Sequence, residues 1–127
     1  MRIKFVLEYY LNCSPKVLFS RLSTPEGLEE WFADKVNADD DLFTFIWKNS
    51  ESKARLAAIK ENKLVRFEWV GMENDESNYF EFRINIEELT GDLALIITDF
   101  IEEEDDRVDS ISLWDSQISD LKRLLGT

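Results

Sequence analysis

Residues 14–32 read SPKVLFSRLSTPEGLEEWF, and this segment carries the clearest structural signal in the chain. It contains two helix starts of the same design, Ser14 before Pro15 and Thr24 before Pro25. A hydroxyl side chain can cap the first turn of a helix, and a proline at the first helical position gives up no hydrogen bond. The spacing of the apolar residues gives each short helix one apolar side. This side consists of Val17, Leu18, Arg21 and Leu22 in the first helix and of Leu28, Trp31 and Phe32 in the second.

On either side of this stretch the chain alternates between apolar and polar residues, as half-buried strands do. The alternation covers residues 2–10 before the helices and residues 79–88 after them. Residues 42–48 and 92–102 follow turns and are also predicted as strands, with apolar side chains on both faces. Residues 107–125 instead place apolar side chains at steps of three and four, which predicts one long helix with a continuous apolar stripe. The stripe consists of Val108, Ile111, Trp114, Ile118, Leu121 and Leu125.

The hairpin at residues 60–63 predicts its own strand register. If Glu61 and Asn62 form a two-residue loop, small residues face large ones on one side of the ladder and opposite charges meet on the other. The predicted pairs are Lys60 with Lys63, Ala58 with Val65, Leu56 with Phe67, Ala54 with Trp69, and Arg55 with Glu68.

The composition is typical of one globular domain over residues 1–127. Hydrophobic content of 44% and aromatic content of 13% suit a packed core. The 27 acidic and 15 basic residues give a net charge of −12. A field of that sign repels phosphate backbones and anionic lipid surfaces, so we expect neither nucleic-acid binding nor membrane docking. The apolar runs are shorter than a membrane span, and the chain lacks a signal-peptide pattern at its start, so we predict a cytoplasmic location.

The residues available for chemistry are few. The sequence has no histidine, which excludes Ser-His-Asp and Cys-His catalysis and histidine-bearing zinc sites. The acidic runs 39–41 and 102–106 lack the spacing of a calcium loop, so we interpret them as solvated turns. Cys13, the one cysteine, is interpreted as a small packing residue before the first helix. We therefore predict no catalytic residue, no metal and no cofactor.

The motif in residues 14–32 resembles that of a known family. Its residues are Thr24, Pro25, Glu26, Leu28, Trp31 and Phe32. With the element order, they resemble the START-like (Bet v 1-like, SRPBCC) superfamily, in the branch of Hsp90-ATPase-activator homologues. The segments ITDF at 97–100 and LWDSQISDLK at 113–122 are also similar to a small START-like subgroup. The resemblance implies an α+β helix-grip fold, with a curved antiparallel sheet of six to seven strands around a long C-terminal helix and two short helices after the first strand.

In the fold that this chain resembles, the space between sheet and helix is either a ligand cavity or a filled core. Apolar pockets suit lipid, sterol-like or aromatic ligands, because burial contributes about 25 cal/mol per Å². The loop at 71–78, with Met72, is the predicted lid of such a cavity. The predicted ligand-binding residues are Trp31, Phe45, Trp47, Phe67, Trp69, Phe82, Trp114 and Ile118. The alternative is that the four tryptophans simply fill the core.

The orientation of Asp99 depends on the length of the turn that contains Thr90 and Gly91. A two-residue turn would direct Asp99 inward, opposite Phe82. A three-residue loop with Gly91 in a left-handed conformation would direct it outward, and glycine slightly favours this second geometry. We therefore expect Asp99 to face outward.

The opposite sheet face is not predicted to be uniformly polar, because Val6, Tyr10, Leu42 and Ile46 fall there. Such a surface can mark a contact with a protein partner or a second copy of the chain, although scattered apolar residues are also normal on protein surfaces.

Three functions follow from these observations. The leading hypothesis is a domain that binds a small apolar ligand without chemistry. The second is a protein-interaction or chaperone-regulating domain with a filled core, which would act through its surface charge. The strong negative charge of the chain would permit docking on a basic partner. The third is a cyclase- or hydratase-type enzyme, which would need an inward acid, base or tyrosine; Asp99, Tyr9 and Tyr79 are its candidates.

Overall fold

The computed structural model describes residues 2–72 and 74–127, and in these residues one seven-stranded sheet is followed by a long helix. The elements in chain order are β1 (Ile3–Leu11), α1 (Pro15–Ser23), α2 (Pro25–Glu29), β2 (Lys35–Asp39), β3 (Leu42–Trp47), β4 (Ser50–Lys60), β5 (Leu64–Trp69), β6 (Tyr79–Ile86), β7 (Leu93–Ile101), a 3-10 turn (Glu104–Asp106) and α3 (Arg107–Leu125). The sheet is antiparallel and curved, with the order β1-β7-β6-β5-β4-β3-β2. The predicted α+β helix-grip architecture is confirmed.

Both predicted helix starts are present. The Ser14 hydroxyl accepts a hydrogen bond from the Val17 amide at 3.2 Å, and the Thr24 hydroxyl accepts one from the Gly27 amide at 3.0 Å. Thr24 also ends α1, because its hydroxyl donates to the Ser20 carbonyl at 2.7 Å. One threonine therefore closes the first helix and opens the second.

The core lies between the inner face of the sheet and the three helices. Strand residues alternate between this core and the opposite face, which we call the outer face. The long helix buries Trp114, Ile118 and Leu121 against the sheet. It ends at Gly126, whose φ of +73° is the left-handed conformation that terminates many helices. Val108, predicted to belong to the apolar stripe, is 76% exposed, so the buried part of the stripe begins later in the helix.

The β4–β5 hairpin corrects part of the predicted register. The pairs Ala54–Trp69, Arg55–Glu68 and Leu56–Phe67 are confirmed. A bulge between Leu56 and Ala58 then shifts the ladder by one residue, so that Ala58 pairs with Arg66 and Lys60 with Leu64. The predicted pairs Ala58–Val65 and Lys60–Lys63 are wrong, because the loop has three residues and Asn62 takes a left-handed φ of +61°. The Arg55 guanidinium donates to Asp41, at 2.9 Å.

The β6–β7 connection reverses the expectation for Asp99. The Glu87 amide donates to the Asp92 carbonyl at 2.9 Å, so four residues form the loop. An even number of loop residues directs Asp99 to the same face as a two-residue turn would. Asp99 pairs with the buried Phe5 and faces inward, although Gly91 does adopt the left-handed conformation, with φ +75°.

The strand β2 was not predicted from the sequence. The segment Lys35–Asp39 forms β2 at the edge of the sheet, where a single residue, Val36, is buried. Because an edge strand with one buried side chain shows almost no alternation, its sequence gives little signal.

The close approach of α1 and α2 makes Gly27 a critical position. A Cβ atom at Gly27 would lie 2.2 Å from the Ser20 carbonyl oxygen and 2.7 Å from the Arg21 Cα. Because both are backbone atoms, the two helices would have to separate, and we expect Gly27→Ala to lower the free energy of unfolding by about 3 kcal/mol. Urea melts measure this loss.

The matched control is Gly91→Ala, whose added methyl group meets no atom within 4 Å. It should cost only about 1 kcal/mol, from the left-handed backbone alone. Equal losses in the two variants would contradict the tight helix contact.

Candidate functional site

The structure brings the predicted ligand-binding residues together in one cluster between the sheet and the helices. Six of them are buried: Trp31, Phe45, Phe67, Phe82, Trp114 and Ile118. Trp47 and Trp69 are half-buried and pack against the same core. The cluster is dense with ring contacts, for example Phe45 to Phe67 at 5.7 Å and Phe82 to Trp114 at 5.9 Å between centroids.

At the centre of this cluster is Phe32, which the predicted site set does not contain. Its ring lies 5.1–6.2 Å from the centroids of six other aromatic rings. These six belong to Trp31, Phe45, Trp47, Phe80, Phe82 and Trp114. Phe32 was predicted to belong to the second helix, but α2 ends at Glu29 and Phe32 lies in the turn after it. Its central place depends on contacts with distant strands that the local pattern does not show.

The polar groups next to Phe32 are hydrogen-bonded within the protein. The Phe32 carbonyl accepts two hydrogen bonds of 2.9 Å, one from Trp47 Nε1 and one from Gln117 Nε2. Trp31 Nε1 donates to the Arg21 carbonyl, also at 2.9 Å. A ligand placed as deep as Phe32 would have to displace packed rings and break these bonds.

Open space occurs instead at the edges of the cluster. One cleft of about 690 Å³ lies where β4 begins and where β5 and β7 end, and we call it the strand-end cleft. It is lined by Arg2, Glu51, Ser52, Lys53, Trp69, Val70, Met72, Asp99, Phe100 and Glu102. A cavity of about 930 Å³ beside the 71–78 loop adjoins it, since Arg2, Met72 and Phe100 line both. Glu73, part of the predicted lid, lies outside the described residues.

A second cleft, of about 700 Å³, opens between α3 and the segment after α2, and we call it the helix-edge cleft. Trp31, Phe32 and Trp47 form its apolar wall, and Gln117 belongs to its helical side. Its rim carries the charged residues Glu29, Glu30, Asp34, Asp120 and Arg123. Trp47 and Trp69, the two half-buried tryptophans, therefore line different clefts.

Asp99 is the ionisable group of the strand-end cleft that reaches into the core. Its Oδ2 accepts a hydrogen bond from Trp114 Nε1 at 2.9 Å, and its Oδ1 accepts one from the Phe100 amide at 2.8 Å. Burial raises the pKa of this carboxyl above its ordinary value, and the two hydrogen bonds and the charge of Arg2 offset only part of that rise. Asp99 is thus a buried acid next to open space.

The other candidate groups are placed less favourably for chemistry. The Tyr9 hydroxyl donates to Asp115 Oδ1 at 2.6 Å, and burial, followed by this contact, raises the pKa of the phenol. Tyr79 lies on the outer face, with its ring 5.0 Å from that of Phe100. Burial also raises the pKa of the Cys13 thiol, which disfavours a reactive thiolate there.

Two further features concern the whole described chain, residues 2–72 and 74–127. In this part, no three side chains of Asp, Glu, Cys or His are grouped so that they could hold a metal ion. Nor does any helix there have the length and apolar character needed to cross a membrane.

Solved structures similar to this chain include BfR322 from Bacteroides fragilis, with 46% sequence identity and a TM-score of 0.68 over 97% of this chain and 90% of that one. The Aha1 dimer from Colwellia psychrerythraea gives a TM-score of 0.78 at 18% identity, over 97% and 96% of the two chains. DynU16, described as a putative protein in the dynemicin biosynthetic locus, gives 0.77 at 9% identity, over 98% of this chain and 47% of that one. The last two likenesses concern the fold alone.

No curated protein matches the sequence. The sequence pattern of the START-like superfamily domain, in contrast, matches residues 1–127, the whole of the chain. The helix-grip architecture, the capped helix pair and this match agree, and the chain belongs to the START-like superfamily.

Proposed function

We propose that this domain binds a small, mainly apolar ligand in the strand-end cleft and performs no chemistry on it. The START-like fold is of a ligand-binding type. The observation that carries the proposal is the cleft itself, where the exposed part of Trp69 and the side chain of Met72 adjoin the buried carboxylate of Asp99. A cytoplasmic location remains part of this proposal.

The size and lining of the strand-end cleft suit a small molecule. Its volume of about 690 Å³ falls within the range of roughly 300–1,000 Å³ that small-molecule sites occupy. Trp69, Val70, Met72 and Phe100 offer apolar surface, which supports binding by burial. Methionine adapts its shape to different ligands, so Met72 is well suited to close over an apolar chain.

The polar groups of the cleft favour one kind of head group. Asp99 can accept a further hydrogen bond, because a carboxylate oxygen has two acceptor positions and each Asp99 oxygen uses one for the protein donors described above. Glu51 and Glu102 add negative charge at the rim, although Arg2 and Lys53 balance part of it. We therefore propose a ligand with an apolar body and a hydroxyl or amine donor.

Two contacts support the absence of chemistry. Each oxygen of Asp99 accepts a hydrogen bond from the protein, so the carboxylate is held in one orientation and its remaining acceptor positions suit the binding of a donor group. Tyr9 is bonded to Asp115 and lies outside the lining of the strand-end cleft. A cyclase or hydratase would need a free acid or base directed at a substrate.

A second candidate function is association through the outer face, with a protein partner or a second copy. Val6 and Tyr10 are 55% and 54% exposed on that face of β1. The structurally similar Aha1 protein from Colwellia psychrerythraea is described as a dimer. A chaperone-regulating role would be one form of such association.

The charge state of Asp99 leads to a prediction for the pH dependence of stability. Because its pKa is raised in the folded protein, the folded state takes up a proton at a higher pH than the unfolded state does. Lowering the pH from 7 toward the ordinary aspartate pKa of about 4 should therefore stabilise the wild-type protein relative to Asp99→Asn. Urea melts of both proteins across this range measure the difference. A constant difference, or one that moves toward the variant as the pH falls, would contradict the burial of the carboxylate.

Fluorescence titration with 1-decanol, decylamine and decanoate tests the ligand site. We expect saturable changes in tryptophan emission, with decanol and decylamine binding more tightly than decanoate because Asp99 accepts their donors. Trp69→Phe removes apolar contact area and should weaken decanol binding about fivefold.

Trp47→Phe is the matched control, since Trp47 lines the helix-edge cleft. It should leave the affinity for decanol within twofold. If none of the three compounds gives a saturable change, or if Trp47→Phe weakens binding as much as Trp69→Phe, the proposed site is wrong.

A further inference from the structure

The charges of this acidic protein are unevenly distributed over its surface. Within the seven strands, all of which the structure describes, seven basic and five acidic side chains point to the outer face. The basic ones are Lys4, Lys35, Lys53, Arg55, Lys60, Arg66 and Arg83. The acidic ones are Glu8, Asp39, Glu51, Glu68 and Glu81. Since the chain has 15 basic and 27 acidic residues, the rest of it has 8 basic and 22 acidic residues. The outer face is thus weakly positive on a molecule that is otherwise strongly negative.

The middle of the outer face is organised around a buried carboxylate. The Glu81 side chain is 7% exposed and lies between two guanidinium groups. Arg66 donates to Glu81 Oε1 through Nε at 3.0 Å and Nη2 at 2.7 Å, while Arg83 Nη2 lies 3.5 Å from Oε2. Within the group of Arg66, Glu81 and Arg83, one negative charge is shared by two positive ones, and Glu68 lies beside this group on the same face. Arg83 is 53% exposed, so it can reach an anionic group from outside.

Two aromatic rings on the outer face lead from this group of charges to β7. The Arg66 guanidinium lies 4.1 Å from the centroid of the Tyr79 ring, and Tyr79 contacts Phe100 edge to face at 5.0 Å. Arg2 lies over the Phe100 ring at 5.8 Å. Arginine and tyrosine held in place by neighbours are typical of the residues that dominate binding energy at protein interfaces.

These observations lead us to propose that the outer face, centred on Arg66, Tyr79, Glu81 and Arg83, docks an acidic segment of a partner protein. The inference rests on the second of the proposed functions, association through this face, and adds the chemistry of the partner. Negative side chains of the partner would pair with Arg83 and its basic neighbours, and an apolar side chain would pack on the Tyr79–Phe100 pair.

The charge distribution also favours an acidic protein segment over a nucleic acid or a second copy of the chain. A long polyanion such as DNA or RNA would extend beyond the basic face into the acidic remainder of the surface, which repels it. Two outer faces placed against each other would bring like charges together. A short acidic segment of a protein avoids both costs.

The test uses the peptide Ac-EEDEFEEFDEEE-NH2 and the ¹⁵N-labelled full chain, followed by NMR chemical-shift changes. We expect saturable shifts in β5, β6 and β7 around the outward residues, and weaker binding as sodium chloride is raised. Arg83→Glu should reduce the affinity about tenfold. Because Arg83 contacts the buried Glu81, Lys60→Glu provides a second variant: Lys60 lies in the same cross-strand row, through Leu64, and should give a reduction of about threefold.

Lys16→Glu, on the exposed surface of α1, is the control with the same change in net charge, and it should alter the affinity by less than twofold. Equal losses in Lys16→Glu and Lys60→Glu, shifts confined to other surfaces, or tighter binding of a 12-nucleotide single-stranded DNA would overturn the proposal.

Sedimentation velocity of the protein without peptide tests association through the outer face separately from the binding of an acidic segment. If the peptide does not bind but the protein forms dimers that Val6→Ser and Tyr10→Ser disrupt, the acidic partner is wrong while association through the outer face stands. If the peptide does not bind and the protein stays monomeric, both are wrong. If Arg83→Glu disrupts the dimers, the outer face binds the acidic surface of a second copy of the chain. That result would also overturn the proposal of a separate partner protein.

Discussion

Phe32 joins the helical half of this domain to the sheet. Its ring occupies the centre of the aromatic cluster, and its carbonyl accepts hydrogen bonds from Trp47 on β3 and Gln117 on α3. A single residue thus connects α2, the sheet and the long helix through both packing and hydrogen bonds. Because rings fill the space that could otherwise hold a ligand, open volume is left at the edges of the cluster. The position of the proposed site is therefore a consequence of how the core is filled.

Much of the fold could be predicted from local sequence. The Ser-Pro and Thr-Pro helix starts depend only on neighbouring residues, and both were predicted correctly. Errors arose where a loop length or a bulge decides which face a side chain takes. The four-residue β6–β7 loop turns Asp99 inward, and the bulge in β4 moves Ala58 to the pair with Arg66. One residue more or less in a loop or bulge moves the following side chains to the opposite face of the sheet. The local composition hardly constrains that number of residues.

The two proposed surfaces divide the molecule by physical character. The strand-end cleft joins apolar surface to a buried acid at Asp99, which suits recognition of a small molecule with a donor group. The outer face carries exposed basic side chains around Glu81, which suits an anionic protein segment. Sequence patterns predicted the aromatic cluster but did not distinguish its edges from its centre. That distinction depends on which tryptophans remain partly exposed, and thus on packing between distant elements.

We infer that a ligand occupies the strand-end cleft while the aromatic core stays closed. The most direct test is ¹⁹F NMR of protein labelled with 5-fluorotryptophan, titrated with 1-decanol, because the tryptophans report on different places. We expect the Trp69 resonance to shift and saturate while those of Trp31 and Trp47 stay unchanged, since these two line the helix-edge cleft. Saturable shifts of Trp31 and Trp47 with no change at Trp69 would contradict this inference.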